Sequence, residues 1–150
     1  MRTTAVCWRL ITDHVGLPVV WFRIRFVRRS IKYNTFKNES SIRTLVDSSS
    51  YSFIEVLRGP NSFGTLLDSL GFKSVPSVND PGPGGMRYFS GGYNTARHGS
   101  RDGGMISAIQ IEAPKPGIRQ NQQTWSNYAS ALATVVDEYY FRHLKRRIKD

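Results

Sequence analysis

The fold is decided by two neighbouring stretches, GGYNTARHGS at residues 91–100 and MISAIQIEA at residues 105–113. In the second stretch, isoleucines alternate with Gln110 and Glu112, which is the pattern of a β-strand. Pro114 ends the pattern, because proline has no N–H to donate to a neighbouring strand. Residues two apart point to the same side of a strand, so Gln110 and Glu112 share a face. We expect a central strand of an α/β sheet, preceded by a glycine-rich loop.

Helices and one further strand are expected around this strand. Apolar and basic side chains alternate in the later part of residues 19–27, as they do in a half-buried strand. Apolar residues at three- and four-residue steps predict helices elsewhere. The short run from Phe53 is ambiguous, since its periodicity also allows a strand, but its apolar residues share one helical face. The predicted helices start at Ser40 or Ser41, cover Phe53–Leu57, run from Asn61 to Leu70, and cover Trp125–His143.

The ends and the inner faces of these helices are predicted from single residues. Ser40 or Ser41 is the expected N-cap of the first helix, and Asn61 is the expected N-cap of the third. Side chains of these types can accept a hydrogen bond from an unpaired N–H group of the first turn. Leu70 and Trp125 continue the apolar faces of their helices, so we expect both to point into the core.

Residues 74–104 form a glycine- and proline-rich stretch. Eight glycines and three prolines fall within these 31 residues, which disfavours a helix or a central strand. Long irregular segments inside a compact domain are usually functional or disordered. Tyr88, Phe89 and Tyr93 argue against disorder, because aromatic rings tend to pack. The stretch is therefore predicted to be an irregular functional loop.

Length and composition predict a single folded domain. A chain of 150 residues can bury a core without disulfides, and a hydrophobic fraction of 39% is typical of a folded protein. The basic charge is concentrated at the start. Residues 1–43 carry 9 Lys/Arg and 2 Asp/Glu, a balance of +7 within the total of +10. We therefore interpret residues 1–38 as a divergent basic segment and residues 39–150 as the part whose fold can be predicted.

Membrane and compartment signals are weak. The longest apolar run, Val15–Phe22, is about half the length that a membrane-spanning helix needs. Cys7 is the only cysteine, so an intramolecular disulfide framework and a CxxC metal cluster are excluded. An intracellular, cytoplasmic location is the default expectation. The arginine-rich, acid-poor N-terminus leaves organellar targeting open.

Three kinds of side chain in the second half could carry chemistry. Glu112 is expected at the carboxyl end of a core strand, where partial desolvation would favour a general base. The alternative is a structural glutamate bonded to an arginine or to backbone amides. His98 lies in a glycine-flanked loop, which indicates an exposed or functional histidine. Arg97 and Arg119 could bind a substrate carboxylate, although arginines are equally common on plain surfaces.

Six motifs occur in a fixed order along the chain. They are GPNSFG at residues 59–64, VPS at residues 75–77, the segment from Tyr88 to Gly99 with its GGYNT and HG elements, IQIE at residues 109–112, Arg119, and the long C-terminal helix. In this order and with these gaps, they resemble the N-formylglutamate amidohydrolase-like family. The resemblance covers roughly residues 40–143 and identifies residues 39–150 as the C-terminal part of such a domain.

The resemblance implies a fold, a reaction and a set of site residues. The fold would be an α/β, phosphorylase/hydrolase-like fold of the zinc-carboxypeptidase kind, with a mixed sheet, flanking helices and an incomplete first half. The reaction would be the hydrolysis of the amide bond of an N-acyl amino acid by metal-activated water. Glu112 would be the catalytic base, and His98 a stabilising group or ligand. The implied substrate-binding residues are Tyr93, Thr95, Arg97, Gln110 and Arg119.

The metal ligands of that family lie mainly in the earlier half of its domain. Here the candidates before Ser40 are Asp13, His14 and Glu39. A catalytic zinc ion normally has three protein ligands and one open position. The chain contains three histidines in total, and His143 is expected at the end of a helix. The sequence therefore predicts an incomplete ligand set, and it assigns no metal ligand.

Three functions remain as hypotheses. The first is a metal-dependent amidohydrolase that acts on a small N-acyl amino acid. The second is a non-catalytic or partner-dependent family member, which would expose an apolar sheet edge and self-associate or bind a missing partner chain. The third is a basic module for nucleic acid or anionic lipid, although no nucleic-acid-reading motif supports it. That module would use Arg23, Arg25, Arg28, Arg29 and Lys32.

Overall fold

The structure, a computed structural model, describes residues 20–23, 37–82 and 92–148. These residues form five α-helices, three short strands and one 3₁₀ turn. In chain order the elements are β1 Val20–Arg23, α1 Arg43–Ser48, α2 Phe53–Arg58, α3 Phe63–Ser69, β2 Ser74–Val75, α4 Tyr93–His98, the 3₁₀ turn Arg101–Gly103, β3 Gln110–Glu112 and α5 Gln122–Leu144.

The three strands form a mixed sheet in the order β2-β1-β3. β1 and β2 are parallel, and Trp21 lies opposite Val75. β1 and β3 are antiparallel, and Trp21 lies opposite Glu112 on that side. The strand predicted over residues 19–27 is confirmed for the described residues 20–23. The remainder of that prediction lies outside the described residues.

The prediction of a central strand over residues 105–113 is wrong in two respects. Within the described residues, β3 lies at the edge of the sheet, and β1 occupies the centre. β3 is also short, because regular pairing is limited to residues 110–112. Met105 and Ile106 are 82% and 65% exposed, so this part of the apolar pattern is not covered by other described residues.

The helix expected near Ser40 is present as α1, but its start differs from the prediction. Ile42 occupies the N-cap position and its own side chain forms no capping hydrogen bond. The first-turn N–H groups of Thr44 and Leu45 donate instead to the distant hydroxyls of Ser100 and Ser107. Ser40 and Ser41 are buried and lie in the turn that precedes the helix. The Ser40 hydroxyl accepts a hydrogen bond from the N–H of Ile42 over 3.3 Å. Ser40 and Ser41 therefore stabilise the approach to the helix rather than its first turn.

The helices α2 and α3 confirm the predicted helical periods of both segments. Ser52 and Glu55 form a capping box at the start of α2. Ser62 caps α3 by accepting a hydrogen bond from the N–H of Thr65, so the prediction of Asn61 as the cap is wrong. Leu70 follows the last helical residue and is 45% exposed, because α3 ends before the turn that would bury it.

The long helix α5 packs against α1 and α3. We call α1, α2, α3 and α5 together the helical base. The buried stripe of α5 consists of Tyr128, Val135, Tyr139 and His143. Tyr128, Val135 and Tyr139 belong to a core cluster that includes Leu67, which is fully buried. Trp125 was expected in this stripe but is 53% exposed, since the core contacts α5 only from Tyr128 onward.

The glycine-rich stretch is more regular than its composition predicts. Residues 93–98 form α4, because this six-residue segment contains neither glycine nor proline between Gly92 and Gly99. Residues 83–91 lie outside the described ranges. Among the helices of the described ranges, none is both long enough and apolar enough to span a membrane.

Candidate functional site

Gln110 and Glu112 form the centre of the candidate site. They share one face of β3, as the alternation requires. Nε2 of Gln110 donates a hydrogen bond to Oε1 of Glu112 over 2.9 Å. Both residues are half-buried, whereas Ile109 and Ile111 pack against the hydrophobic core from the other face. The strand thus separates a polar face from the core.

The start of α4 lies directly against this pair. The side-chain amide of Gln110 lies so close to Gly92 that a Cβ atom there would require this side chain to shift. Gly92 is also fixed from inside α4, because its N–H donates to Oγ1 of Thr95 over 3.1 Å. The Thr95 hydroxyl in turn donates to the Gly92 carbonyl over 3.0 Å. The glycine-rich segment and β3, adjacent in the predicted site, are therefore in contact.

Thr95 was predicted to bind substrate. In the structure its side chain is 5% exposed, and its hydroxyl bonds to the backbone of Gly92. This arrangement gives Thr95 a role in holding the start of α4 against β3. A direct contact with substrate stays a prediction, because it would require this hydroxyl to exchange its present partner.

Arg119 lies at the end of β3. Its Nε donates a hydrogen bond to the carbonyl of Ala113 over 2.7 Å, one residue beyond Glu112. Arg119 is exposed, and the contact anchors its guanidinium close to the carboxyl end of the strand. A planar guanidinium in this position has the geometry to bind a carboxylate with two hydrogen bonds.

The remaining predicted residues lie on the surface of α4. Tyr93 and Arg97 are exposed and four residues apart, so they share one face of the helix. Tyr93 is 71% exposed. His98 is the last residue of α4 and is also exposed. Within the described ranges, His98 makes no hydrogen bond. The structure therefore places Gln110 and Glu112 on β3, ties Arg119 to the backbone just beyond it, and leaves His98 outside this group.

The sheet direction changes the expected position of the carboxylate. The carboxyl edge of parallel strands is the usual ligand-binding edge of an α/β sheet. β3 runs against β1, and Arg23, the last residue of β1, lies opposite Gln110. Gln110 and the start of α4 are therefore at the carboxyl edge of β1. Glu112 lies two residues further along β3, opposite Trp21 and therefore further from this edge.

Arg43 was not among the residues selected from the sequence, yet it fixes the segment that leads from α4 to β3. Its Nε donates to the carbonyl of Ser100 over 2.9 Å, and Nη2 donates to the carbonyl of Gly104 over 2.8 Å. Its third nitrogen donates to Asp47 over 3.0 Å. A hydrogen bond from Lys37 to Asp47, helped by the charges of Lys37 and Arg43, holds the pKa of the Asp47 carboxyl below its usual range.

Serine hydroxyls extend this anchor. Ser41 donates from Oγ to the carbonyl of Ala108 over 2.7 Å, and its own carbonyl accepts from the hydroxyl of Ser100 over 3.0 Å. Ser107 accepts a hydrogen bond from the N–H of Leu45 over 2.9 Å. Local sequence patterns could not predict these hydrogen bonds, because the partners are 59 to 67 residues apart in the chain.

The family resemblance implies zinc, and the described residues do not fit it. Within residues 37–82 and 92–148, no three His, Cys, Asp or Glu side chains lie close enough together to hold a metal ion. Of the earlier candidates, Asp13 and His14 lie outside the described residues, and Glu39 is half-buried just before α1. Zinc is therefore assigned to no residue of the described ranges.

An apolar groove lies on the opposite side of β3 from the Gln110–Glu112 pair. It has a volume of about 540 Å³ and extends between α1, α5 and the segment that leads into β3. None of its lining residues is charged. They are Ile42, Thr44, Leu45, Ser48, Phe63, Met105, Ser107, Ile109, Ile111, Val136, Tyr139, Tyr140 and Leu144.

The basic residues proposed for a nucleic-acid or lipid surface cannot be placed. Arg25, Arg28, Arg29 and Lys32 lie outside the described residues, and Arg23 is described only as part of the backbone of β1. Among the described residues, several cations are paired with acidic residues. The pairs are Lys37–Asp47, Arg43–Asp47, Lys73–Asp80, Arg142–Glu138, Arg147–Asp137 and Arg147–Glu138.

Comparison of the chain with protein-family models, with curated proteins and with solved structures finds no match. The family resemblance thus depends on the motif order in this sequence alone. The fold class that the resemblance implies stays a prediction. The structure itself shows a three-stranded mixed sheet within the described residues.

Proposed function

We propose that this chain is an N-formylglutamate amidohydrolase-like protein whose Glu112 acts as the general base in the hydrolysis of an N-acyl amino acid. The observation that carries the proposal is the Gln110–Glu112 pair, with the start of α4 packed directly against it. A general base must be positioned within hydrogen-bond reach of the proton that it takes, and Gln110 holds the half-buried Glu112 carboxylate in one orientation. The motif order of the sequence supplies the class of substrate.

The proposed reaction uses the side chains that the structure places on β3. Glu112 accepts a proton from water while the water oxygen bonds to the carbonyl carbon of the acyl group. The same proton is then returned to the amide nitrogen as the C–N bond breaks, which releases a carboxylic acid and the free amine. Gln110 orients the Glu112 carboxylate through its 2.9 Å hydrogen bond, and Arg119 is the candidate for binding the α-carboxylate of the substrate.

The test uses the purified full chain with N-formylglutamate, in the presence and in the absence of added zinc. Formate release is followed by NMR. Glu112→Gln should lower the rate by about 10²-fold or more while the circular dichroism spectrum stays unchanged. Asp80→Asn is the matched control, because Asp80 forms a surface pair with Lys73 over 3.6 Å and lies outside the site. No formate release by the unmodified chain under either condition would contradict the proposal.

The apolar groove favours a second candidate function, a non-catalytic member that associates with a second copy of itself. The groove carries no charge, and Met105 and Ile106 beside it are 82% and 65% exposed. Exposed apolar surface of this kind next to an edge strand is typical of an interface. Light scattering should then show a dimer that Met105→Ser with Ile106→Ser converts to monomer. A monodisperse monomer of the unmodified chain would exclude this candidate.

A further inference from the structure

His143 is a buried histidine that the candidate site does not use. It lies in the last turn of α5 and is 3% exposed. Nδ1 is 2.9 Å from the hydroxyl of Ser49, in the loop between α1 and α2. Nε2 is 3.0 Å from the carbonyl of Asn61, in the loop between α2 and α3. One imidazole ring therefore joins the end of α5 to both loops.

The two partners define where the proton lies. The carbonyl oxygen of Asn61 can only accept a hydrogen bond, so Nε2 carries the hydrogen. Nδ1 is then the acceptor, and the Ser49 hydroxyl donates to it. Both ring nitrogens are satisfied in the neutral imidazole. With a second proton Nδ1 would donate to the Ser49 hydroxyl, which can also accept, but the ring would then carry a positive charge in a buried position.

The surroundings of the ring favour the neutral form. Burial lowers the pKa of His143 below its usual value of 6.5, and the charges of Lys145 and Arg142 lower it further. The hydrogen bond to the carbonyl of Asn61 acts in the opposite direction. The rings in contact are Tyr51 and Tyr139, with centroids at 5.4 and 4.4 Å. Burial raises the pKa of Tyr139, so both it and the imidazole are held neutral.

The carboxylates near this turn are already occupied. Arg142 binds Oε1 of Glu138 over 2.7 Å and the side-chain oxygen of Asn61 over 2.5 Å. Arg147 binds the other oxygen of Glu138 over 3.0 Å, and it also binds Asp137 over 2.8 Å. In the described part of the chain, no acidic side chain forms a hydrogen bond or ion pair with His143 that could compensate a charged ring.

We propose that His143 is an acid-sensitive clasp, whose protonation releases the last turn of α5 from the loops at Ser49 and Asn61. The inference is independent of the proposed hydrolase function, because the partners of His143 are Ser49, Asn61, Tyr51 and Tyr139, none of which belongs to the candidate site. Acidification would loosen residues 139–148 and the side of the apolar groove that Tyr140 and Leu144 line.

The sign of the pH effect follows from the direction of the pKa shift. The unfolded chain takes up a proton at His143 near pH 6.5, whereas the folded chain takes it up only at lower pH. Between these two values the open form binds more protons than the closed form. The clasp is therefore fully stable above pH 6.5 and weakens as the pH falls, by at most about tenfold in the opening equilibrium per pH unit.

Two measurements on the unmodified chain test the clasp. NMR titration of the histidine rings should show His143 as the neutral tautomer with hydrogen on Nε2, titrating below pH 6.5. Hydrogen exchange, corrected for the intrinsic rate, should increase in residues 139–148 between pH 7 and pH 5. Residues 122–132 of the same helix provide the internal reference. A His143 ring that titrates at or above pH 6.5 would overturn the proposal without any variant.

A matched pair of variants separates the clasp from a general effect of acid. His143→Gln keeps an N–H for the Asn61 carbonyl but cannot be protonated, so its exchange at residues 139–148 should not change between pH 7 and pH 5. His98→Gln removes an exposed histidine and should behave as the unmodified chain does. The same acid response in His143→Gln and in the unmodified chain would overturn the proposal.

Discussion

The helical base and the site region, residues 92–112, are held in place by different interactions. In the helical base, Ile42, Leu67, Val56 and Val135 are at most 1% exposed and belong to one hydrophobic cluster. In the site region, Gln110 and Glu112 are only half-buried, and Met105 is largely exposed. Apolar burial therefore determines the stability of the base, whereas hydrogen bonds determine the position of the site.

This difference separates the stability of the fold from the positioning of the site region. Burial of aliphatic side chains is favourable without a preferred direction, so it stabilises the base without fixing one particular backbone position. The bonds of Arg43 to the carbonyls of Ser100 and Gly104 are directional, and each fixes one backbone position. We expect changes in the base to alter global stability and changes in the anchor to alter the site region first.

The largest expected effect is that of Leu67→Ala. Leu67 is fully buried in the base, so its truncation should lower the free energy of unfolding by about 2–5 kcal/mol. Leu70→Ala is the matched control in the next turn, and its 45% exposure predicts a much smaller loss. Urea denaturation followed by circular dichroism measures both. Equal losses for the two variants would show that α3 does not pack as described.

The anchor should have a smaller and more local effect. Arg43→Ala removes charge-assisted hydrogen bonds from a side chain that is 21% exposed, a loss of about 2 kcal/mol. Hydrogen exchange should become faster in residues 99–108 and stay unchanged in α3. Arg43→Lys should not restore protection, because an ammonium group cannot form the same fork.

Arg146→Ala is the control for this variant, because Arg146 is exposed and forms no hydrogen bond or ion pair within the described ranges. It should leave both stability and exchange unchanged. The comparison of base and site region would fail if Arg43→Ala accelerated exchange in α3 as much as in residues 99–108.

The difference between local patterns and long-range contacts also explains which parts of the fold could be predicted. Helical periods and glycine or proline breaks are local, so α2, α3 and α5 follow from the sequence around them. Gly71, just after α3, has φ of 86°, the conformation that glycine adopts at a helix end. The exposed Trp125 could not be predicted, because its burial depends on where the core ends rather than on its place in the helical stripe.

The candidate site was predictable only in part. The alternation in β3 correctly places Gln110 and Glu112 on one face, because it depends on adjacent residues. The edge position of β3 depends on pairing with β1, more than 80 residues earlier, and no local pattern encodes it. Arg43 was missed for the same reason, since its partner Ser100 is 57 residues away.

The smallest expected effect concerns the first turn of α3. The sequence predicts Asn61 as its N-cap, whereas the structure shows Ser62 in that position. Ser62 accepts the hydrogen bond from the N–H of Thr65, so Ser62→Ala should lower the free energy of unfolding by about 1 kcal/mol. Asn61→Ala removes only a partly exposed contact with Arg142, whose loss is expected to cost about 0.5 kcal/mol. Exchange of the Thr65 amide should rise in the first variant alone. A larger loss in Asn61→Ala would contradict the assignment of the cap to Ser62. It would also show that this helix end, although it lies in the base, is fixed by a long-range hydrogen bond like those of the site region.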